Sequence, residues 1–360
     1  MRMKCGTWVW IVILVGLGFL VSCSTNSSSS SGTGALYVTT QGDALVSLFS
    51  VDLNKGSISA NGSSVATGTT PSAIILTESR DMAFVANRDS NDISRYTVNS
   101  DSTLTAVTGN TPTGTTAVSM AIDSVGHFLF VANRGSDDIS VFSIGSGASL
   151  TEIVGSPFPV AANPVAVAVT PTGTFLYVAN DVSGVVSAYS IDPTSGALSP
   201  VPGPSFTAGT APSGVTVTPD GKFLYATNSG SNNVSAFVIN SDGSLTTITG
   251  SPFSAGVGPV SPRVDPSGVF LYVADQQSNQ VSGYKISSST GALTALSTPT
   301  ISTGANPVWL AIHPGGLYLY VANNGAASIS AFKINTTSGV LGVVGSPFTT
   351  GGQPSAIALK

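Results

Sequence analysis

Residues 219–239, PDGKFLYATNSGSNNVSAFVI, decide the fold. Pro219-Asp220-Gly221 reads as a turn, because proline fixes φ and glycine is free to take a positive φ. Phe223 to Asn228 is apolar nearly throughout, as a strand buried on both faces would be. Ser229 to Asn233 is polar and turns the chain, and Val234 to Ile239 reads as a third strand. Upstream, Pro212 to Thr218 (PSGVTVT) sets an apolar residue at every second position. Downstream, Gly243-Ser244-Leu245 begins a fourth strand, and Ser251-Pro252-Phe253 closes the unit before Pro259.

The same phrase returns along the whole chain. Its last residue is Thr40, Asn87, Asn133, Asn180, Asn228, Asp275 and Asn323, in steps of 46–48 residues. A fixed period of this size marks a repeat architecture. Four short strands per unit, repeated seven times, predict an all-β protein: a seven-bladed β-propeller of four-stranded antiparallel blades. Seven residues after each marker stands Ser (47, 94, 140, 187, 235, 282, 330). Nine after it stands an aromatic ring: Phe49, Tyr96, Phe142, Tyr189, Phe237, Tyr284 or Phe332. Eleven after it stands Val or Ile. Period two puts the three on one strand face, read here as the core between blades, where each ring contributes about 1.5–3 kcal/mol. The first unit opens directly on its second strand, Ala35-Leu36-Tyr37-Val38, and its missing first strand is expected from the other end, Pro354 to Leu359. Joining the termini in one blade removes the exposed sheet edges.

Composition narrows the partners. Charged residues make up 8% of the chain, against roughly 25% in ordinary soluble proteins, so Ser, Thr, Asn and Gln must solvate the surface. The net charge is −5 and the propeller has no Lys/Arg cluster, which excludes nucleic acid as an expected partner. A monomer is expected. Residues 1–23 read as a targeting segment: Arg2 and Lys4, then an apolar run from Trp8 to Val21 that is short for a membrane span. Leu20-Val21-Ser22-Cys23 resembles a bacterial lipobox. It implies lipidation of Cys23 and an exported, membrane-anchored lipoprotein of the cell envelope. Residues 24–34 (STNSSSSSGTG) read as a flexible tether, and residues 35–360 as the propeller. No cysteine remains after Cys23, so no disulfide or Cys-based metal site is expected.

Candidate chemistry is sparse. His127 and His313 are the two histidines, and neither has a second His at ligand spacing, so no metal is expected. The Gly-rich stretches lack a P-loop Lys, and no cofactor is expected. Charge gathers on the loops after the second strands: Asp43, then Arg88, Asp89 and Asp92, then Arg134, Asp137 and Asp138, then Asp181. Later blades carry neutral loops there. These residues form either a ligand- or cation-contacting arc on one rim, or local ion pairs and Asx turns. Two residues stand out toward the central channel. Trp309 occupies a position that is small in most blades, and Arg263 one that is Ile, Ala or Thr elsewhere. They would bind a planar or anionic ligand, or plug the channel, with Arg263 paired to Asp265.

LYVANDVSGVVSAYSI (176–191) and residues 219–239 resemble the YVTN-repeat propellers and the seven-bladed propeller lactonase family, which includes 6-phosphogluconolactonase-type enzymes. The resemblance spans residues 35–360. It implies hydrolysis of a sugar lactone by general acid–base attack of water. The family's Gly-Pro-Arg-His segment corresponds here to Asn306-Pro307-Val308-Trp309, with Val308 for the Arg and Trp309 for the His. The matching pair one blade earlier is Val260 and Ser261, and a related His position falls on Ser72, Val165 or Ser213. Two functions are therefore expected. The first is a binding module for a carbohydrate, a peptide or an envelope protein, with Trp309, Arg263, Asp92 and Asp181 as contacts. The second is a lactone hydrolase, with Arg88, Asp89, Arg134, Asp137 and Asp138 as catalytic candidates.

Overall fold

The computed structural model describes residues 32–203 and 205–360. The segment read as targeting, Cys23 and the residues read as a tether, as far as residue 31, lie outside them. The first strand begins at Thr33, two residues before the boundary expected at Ala35.

Seven antiparallel sheets make seven blades. Blade one joins Thr33–Thr40, Leu45–Asp52 and Ile58–Ala66 to Pro354–Leu359 from the far end of the chain. Its register runs Leu36↔Leu359, Val38↔Ile357 and Thr39↔Ala356, so closure of the ring by its two ends is realised. Blades two to seven begin with inner strands Pro71–Leu76, Ala117–Ile122, Pro164–Val169, Pro212–Val217, Pro259–Val264 and Pro307–Ile312. Their second strands are Met82–Asn87, Phe128–Asn133, Phe175–Asn180, Phe223–Asn228, Phe270–Asp275 and Tyr318–Asn323. In blades one and six the outer position is one continuous strand, and in the other five it breaks into two short pieces that both pair with the third strand.

The aromatic row lies where period two puts it. Phe142 of blade three packs with Phe84 and Ala86 of blade two, Phe237 of blade five with Tyr177 and Ala179 of blade four, and Phe49 of blade one with Tyr318 and Tyr320 of blade seven. Most of the serines are buried on that face too, and they have a further role. In five blades the marker Asn is fully buried, and its Nδ2 donates to the Oγ of the Ser seven residues on at 2.9–3.0 Å. The Ser therefore serves as hydrogen-bond partner to a buried amide, which would otherwise be costly to bury.

A second tie joins neighbouring blades. Buried tyrosines of the second strands donate to a carbonyl in the turn between third and fourth strands of the next blade: Tyr177 to Gly243, Tyr225 to Gly291 and Tyr272 to Gly339, at 2.6–2.9 Å. Tyr320 reaches Gly56 of blade one at 3.2 Å, carrying the pattern across the closure. Gly291 shows why the turn needs glycine: its φ is 71°, and a Cβ would meet the ring of Phe223.

Candidate functional site in the central channel

The seven inner strands line a central channel of about 990 Å³. Its wall is mainly aliphatic and hydroxyl-bearing, because the inner strands carry Val, Ile, Ala and Ser at their half-buried positions. Three of the wall serines are engaged with the next blade: Ser72 donates to the Ala117 carbonyl, Ser213 to Pro259 and Ser355 to Pro71, at 2.5–2.7 Å. Ser72 and Ser213 are two of the positions onto which the resemblance puts a related His. Here they bind backbone and hold the ring together.

Charge in the channel lining is confined to Glu78, Arg80 and Arg263. Blade six explains how Arg263 enters. Ser261 takes φ 48°, the register shifts between Val260 and Arg263, and Pro262 contributes no N–H to the ladder. The bulge re-aims the strand. Pro262 lies over Gly214 of blade five, where a Cβ would clash. Arg263 is half-buried, and its Nε and Nη1 donate at 3.1 Å to the carbonyls of Leu310 and Pro262. Its guanidinium lies 4.9 Å from the centroid of the Trp309 ring, in cation–π range. Burial pulls its pKa down to about 10, which leaves it charged at neutral pH. The expected pairing with Asp265 is not made: that carboxylate accepts from Ser267 and from the backbone N–H groups of Val269 and Phe270. Among the described residues Arg263 forms no ion pair.

Trp309 is fixed as well. Its Nε1 donates to the Ile357 carbonyl at 3.0 Å, and its ring packs against the apolar clusters that contain Ala73, Ile74 and Ala356. From blade seven it thus reaches blades one and two and narrows the channel, while the guanidinium of Arg263 covers its ring.

The rim arc is placed as follows. Arg88 pairs with Asp89 at 2.9 Å, both exposed, and Thr70 also donates to Asp89, holding that carboxyl below its usual range. Arg134 of blade three reaches Asp181 of blade four at 2.8 Å and donates to Asn163, whose N–H bonds Asp137 at 2.7 Å. Asp92 and Asp138 turn inward and accept from the marker amides Asn87 and Asn133. The structure brings Arg134, Asp137 and Asp181 into one inter-blade network, and Arg263 and Trp309 into one channel site. It does not join the two sets. Exposed ion pairs such as Arg88–Asp89 contribute little to stability.

His313 ends the inner strand of blade seven. Its Nδ1 accepts the Gly315 N–H at 3.0 Å, so the neutral ring carries its proton on Nε2. Burial, and then the charge of Arg80, push its pKa down. Among the described residues no group of three His, Cys, Asp or Glu side chains is arranged for a metal ion.

Two charged residues escaped the sequence reading. Arg80 lines the channel from the turn after the inner strand of blade two. Asp275 replaces the marker Asn in blade six, fully buried, and accepts from Ser282 Oγ at 2.6 Å and from the Gly256 N–H at 3.1 Å. Burial raises its pKa to about 6. The change from Asn to Asp was visible in the repeat. Its meaning required knowing that Ser282 is the marker's hydrogen-bond partner.

The chain is a closed seven-bladed ring with a cation, Arg263, and an indole, Trp309, in the lining of its channel. The profile of the seven-bladed β-propeller lactonases matches residues 28–121, 103–204, 197–302 and 295–360, and the chain belongs to that family. No curated protein matches the chain. Among solved structures it is similar to a Bacteroides fragilis protein provisionally assigned as a 6-phosphogluconolactonase, at TM-score 0.82 and 21% identity over 93% of this chain and 99% of that one. It is also similar to the periplasmic gluconolactonase PpgL of Pseudomonas aeruginosa, at TM-score 0.79 and 20% identity over 91% of this chain and 99% of that one. Kuenenia stuttgartiensis hydrazine synthase shares the fold at TM-score 0.66 and 20% identity, over 84% of this chain and 92% of that one. Likeness at this identity carries the fold alone.

Proposed function

We propose that the protein is a binding member of the lactonase family that takes a sugar acid or its lactone into the central channel. The observation that carries this reading is Arg263, a half-buried guanidinium without a carboxylate partner, stacked on the one tryptophan of the described residues. A carboxylate or ester carbonyl satisfies the N–H groups that the Leu310 and Pro262 carbonyls leave free. The hydroxyl-bearing ligand fits a wall that offers little charge. Binding next to Trp309 changes its fluorescence, so titration with gluconate and with glucono-δ-lactone tests the reading. A saturable change, lost in both Trp309→Phe and Arg263→Ala, supports it. No change with either compound, or an undiminished affinity in Arg263→Ala by calorimetry, rejects it.

Lactone hydrolysis is the second reading, favoured by family membership. Arg263 would then stabilise the oxyanion that forms when water attacks the ring ester. Acid release from glucono-δ-lactone above the buffer rate, abolished in Arg263→Ala, would favour it. Loss of turnover in Arg134→Ala or Asp137→Ala would move the chemistry to the rim. We place the protein in the bacterial envelope, anchored through a lipid on Cys23, on the strength of the lipobox.

A further inference from the structure

We propose that Asn61-Gly62, in the outer strand of blade one, is a self-modifying site: the Gly62 amide nitrogen attacks the Asn61 side chain and converts it to an aspartyl residue. The change sets a negative charge on the one outer edge that lacks both proline and charge.

An outer strand presents unpaired N–H and C=O groups, and proteins blunt such an edge with proline, charge or a bulge. Six of the seven outer positions contain proline: Pro112, Pro157, Pro200, Pro252, Pro299 and Pro347. Ile58–Ala66 of blade one contains neither proline nor a charged residue. Its irregularity is a bulge. Leu48 pairs with Ser63 and Phe49 with Ala60, so Asn61 and Gly62 stand outside the register.

This placement meets the needs of the reaction. Both residues are exposed. Gly62 takes φ 81°, and a Cβ there would meet nothing within 4 Å, so its nitrogen is reached without hindrance. The Asn61 carboxamide rests on the surface, its Nδ2 donating to the Ser50 Oγ at 3.2 Å, a contact that water replaces readily. The Gly62 N–H gives its proton to hydroxide, and the nitrogen bonds to Asn61 Cγ. The Cγ–Nδ2 bond breaks, and Nδ2 takes a proton from water and leaves as ammonia. The five-membered succinimide then adds water at either carbonyl, giving aspartate or isoaspartate. One water is consumed, one ammonia is released, and nothing is oxidised or reduced. The new carboxyl is ionised at neutral pH.

The chain's other Asn-Gly pair, Asn324-Gly325, is held. Asn324 is half-buried, its N–H donates to the Asn306 carbonyl at 2.9 Å, and its Nδ2 donates to the Pro354 carbonyl at 3.1 Å. A Cβ at Gly325 would lie 3.0 Å from Asn306 Cβ and 3.2 Å from the Ala305 carbonyl oxygen, so the backbone there is packed. The two pairs are alike in sequence, and the fold separates them.

The test is incubation of the full folded chain at pH 8, followed over time by peptide mapping with mass spectrometry. The Asn61 peptide should gain one mass unit at least tenfold faster than the Asn324 peptide. The rate should fall at least tenfold at pH 6, because the attacking amide must lose its proton. In urea at pH 8 the two pairs should react within threefold of each other, since unfolding removes what distinguishes them. Asn61→Gln, exposed and outside the register, should keep the wild-type melting temperature and remove the acidic band that the wild type develops on isoelectric focusing. An Asn61 peptide that stays unmodified in the folded chain overturns the inference. Equal reaction of both pairs in the folded chain overturns it too.

Discussion

Replacing Asp275 by Asn should stabilise the protein at pH 8 and leave it little changed at pH 4. Asp275 is fully buried at the position where five other blades carry Asn, and burial raises its pKa from 3.8 to about 6, against the partial relief given by Ser282, Gln280 and the Gly256 N–H. A carboxyl whose folded pKa lies above its unfolded one binds protons more tightly in the folded state. Its protonated form therefore contributes stability below the unfolded value, and that contribution is lost as pH rises to the folded one. At about 1.4 kcal/mol per tenfold change in proton affinity, the cost of the ionised group above pH 6 is about 3 kcal/mol. Asn removes this cost. Its Oδ1 can accept the Gly256 N–H, and its Nδ2 can donate to Ser282 as in the other blades. At about 2 cal/mol/K of unfolding entropy per residue, 3 kcal/mol raises Tm by about 4 °C. Paired urea titrations of wild type and Asp275→Asn at pH 4 and pH 8 measure the effect. The stability gap should open between pH 4 and pH 6 and be flat above. A gap of the same size at both pH values, or a variant less stable at pH 8, refutes the assignment of a buried, ionising carboxyl.

Three further outcomes are expected. Deleting residues 353–360 removes the inner strand of blade one, with fully buried Ala356 and nearly buried Ile357, and exposes the edge of Thr33–Thr40; Tm in a thermal melt should fall by roughly 10 °C or more, and an unchanged melt would contradict closure by the termini. Tyr225→Phe leaves the buried Gly291 carbonyl without its donor and should cost about 1–2 kcal/mol in chemical denaturation, while Tyr37→Phe, whose partner carbonyl belongs to the half-buried Ser102, should cost less. Cys23→Ser should abolish incorporation of radiolabelled palmitate in cells and release the protein from the membrane fraction.

The blade grammar was legible in the sequence because packing between sheets is a repetitive demand. Phe142, Phe237 and their counterparts must fill equivalent gaps, so the same residue type returns at the same phase. Closure was legible for a related reason: one unit lacked its first strand and the other end of the chain supplied it. The serines carried the same periodic signal and six of them are buried as that signal implies, but period two fixes a face and not a hydrogen-bond partner. The channel site was partly legible, because Trp309 and Arg263 break a small-residue pattern. Their mutual contact was not, since it depends on a bulge at Ser261 and Pro262 that shifts the register of one inner strand against its neighbour. Arg80 was hidden for another reason. It stands with φ 55° at a turn position that is glycine in blades three to seven, and a one-residue exception in a loop carries no periodic signal.

The account stands most directly on where a sugar acid sits in the ring. A crystal structure of the protein soaked with gluconate should place the carboxylate within hydrogen-bond distance of the Arg263 guanidinium, beside the Trp309 ring on the channel axis. Density for gluconate on the rim at Arg134 and Asp181, with the channel holding only water, would contradict it.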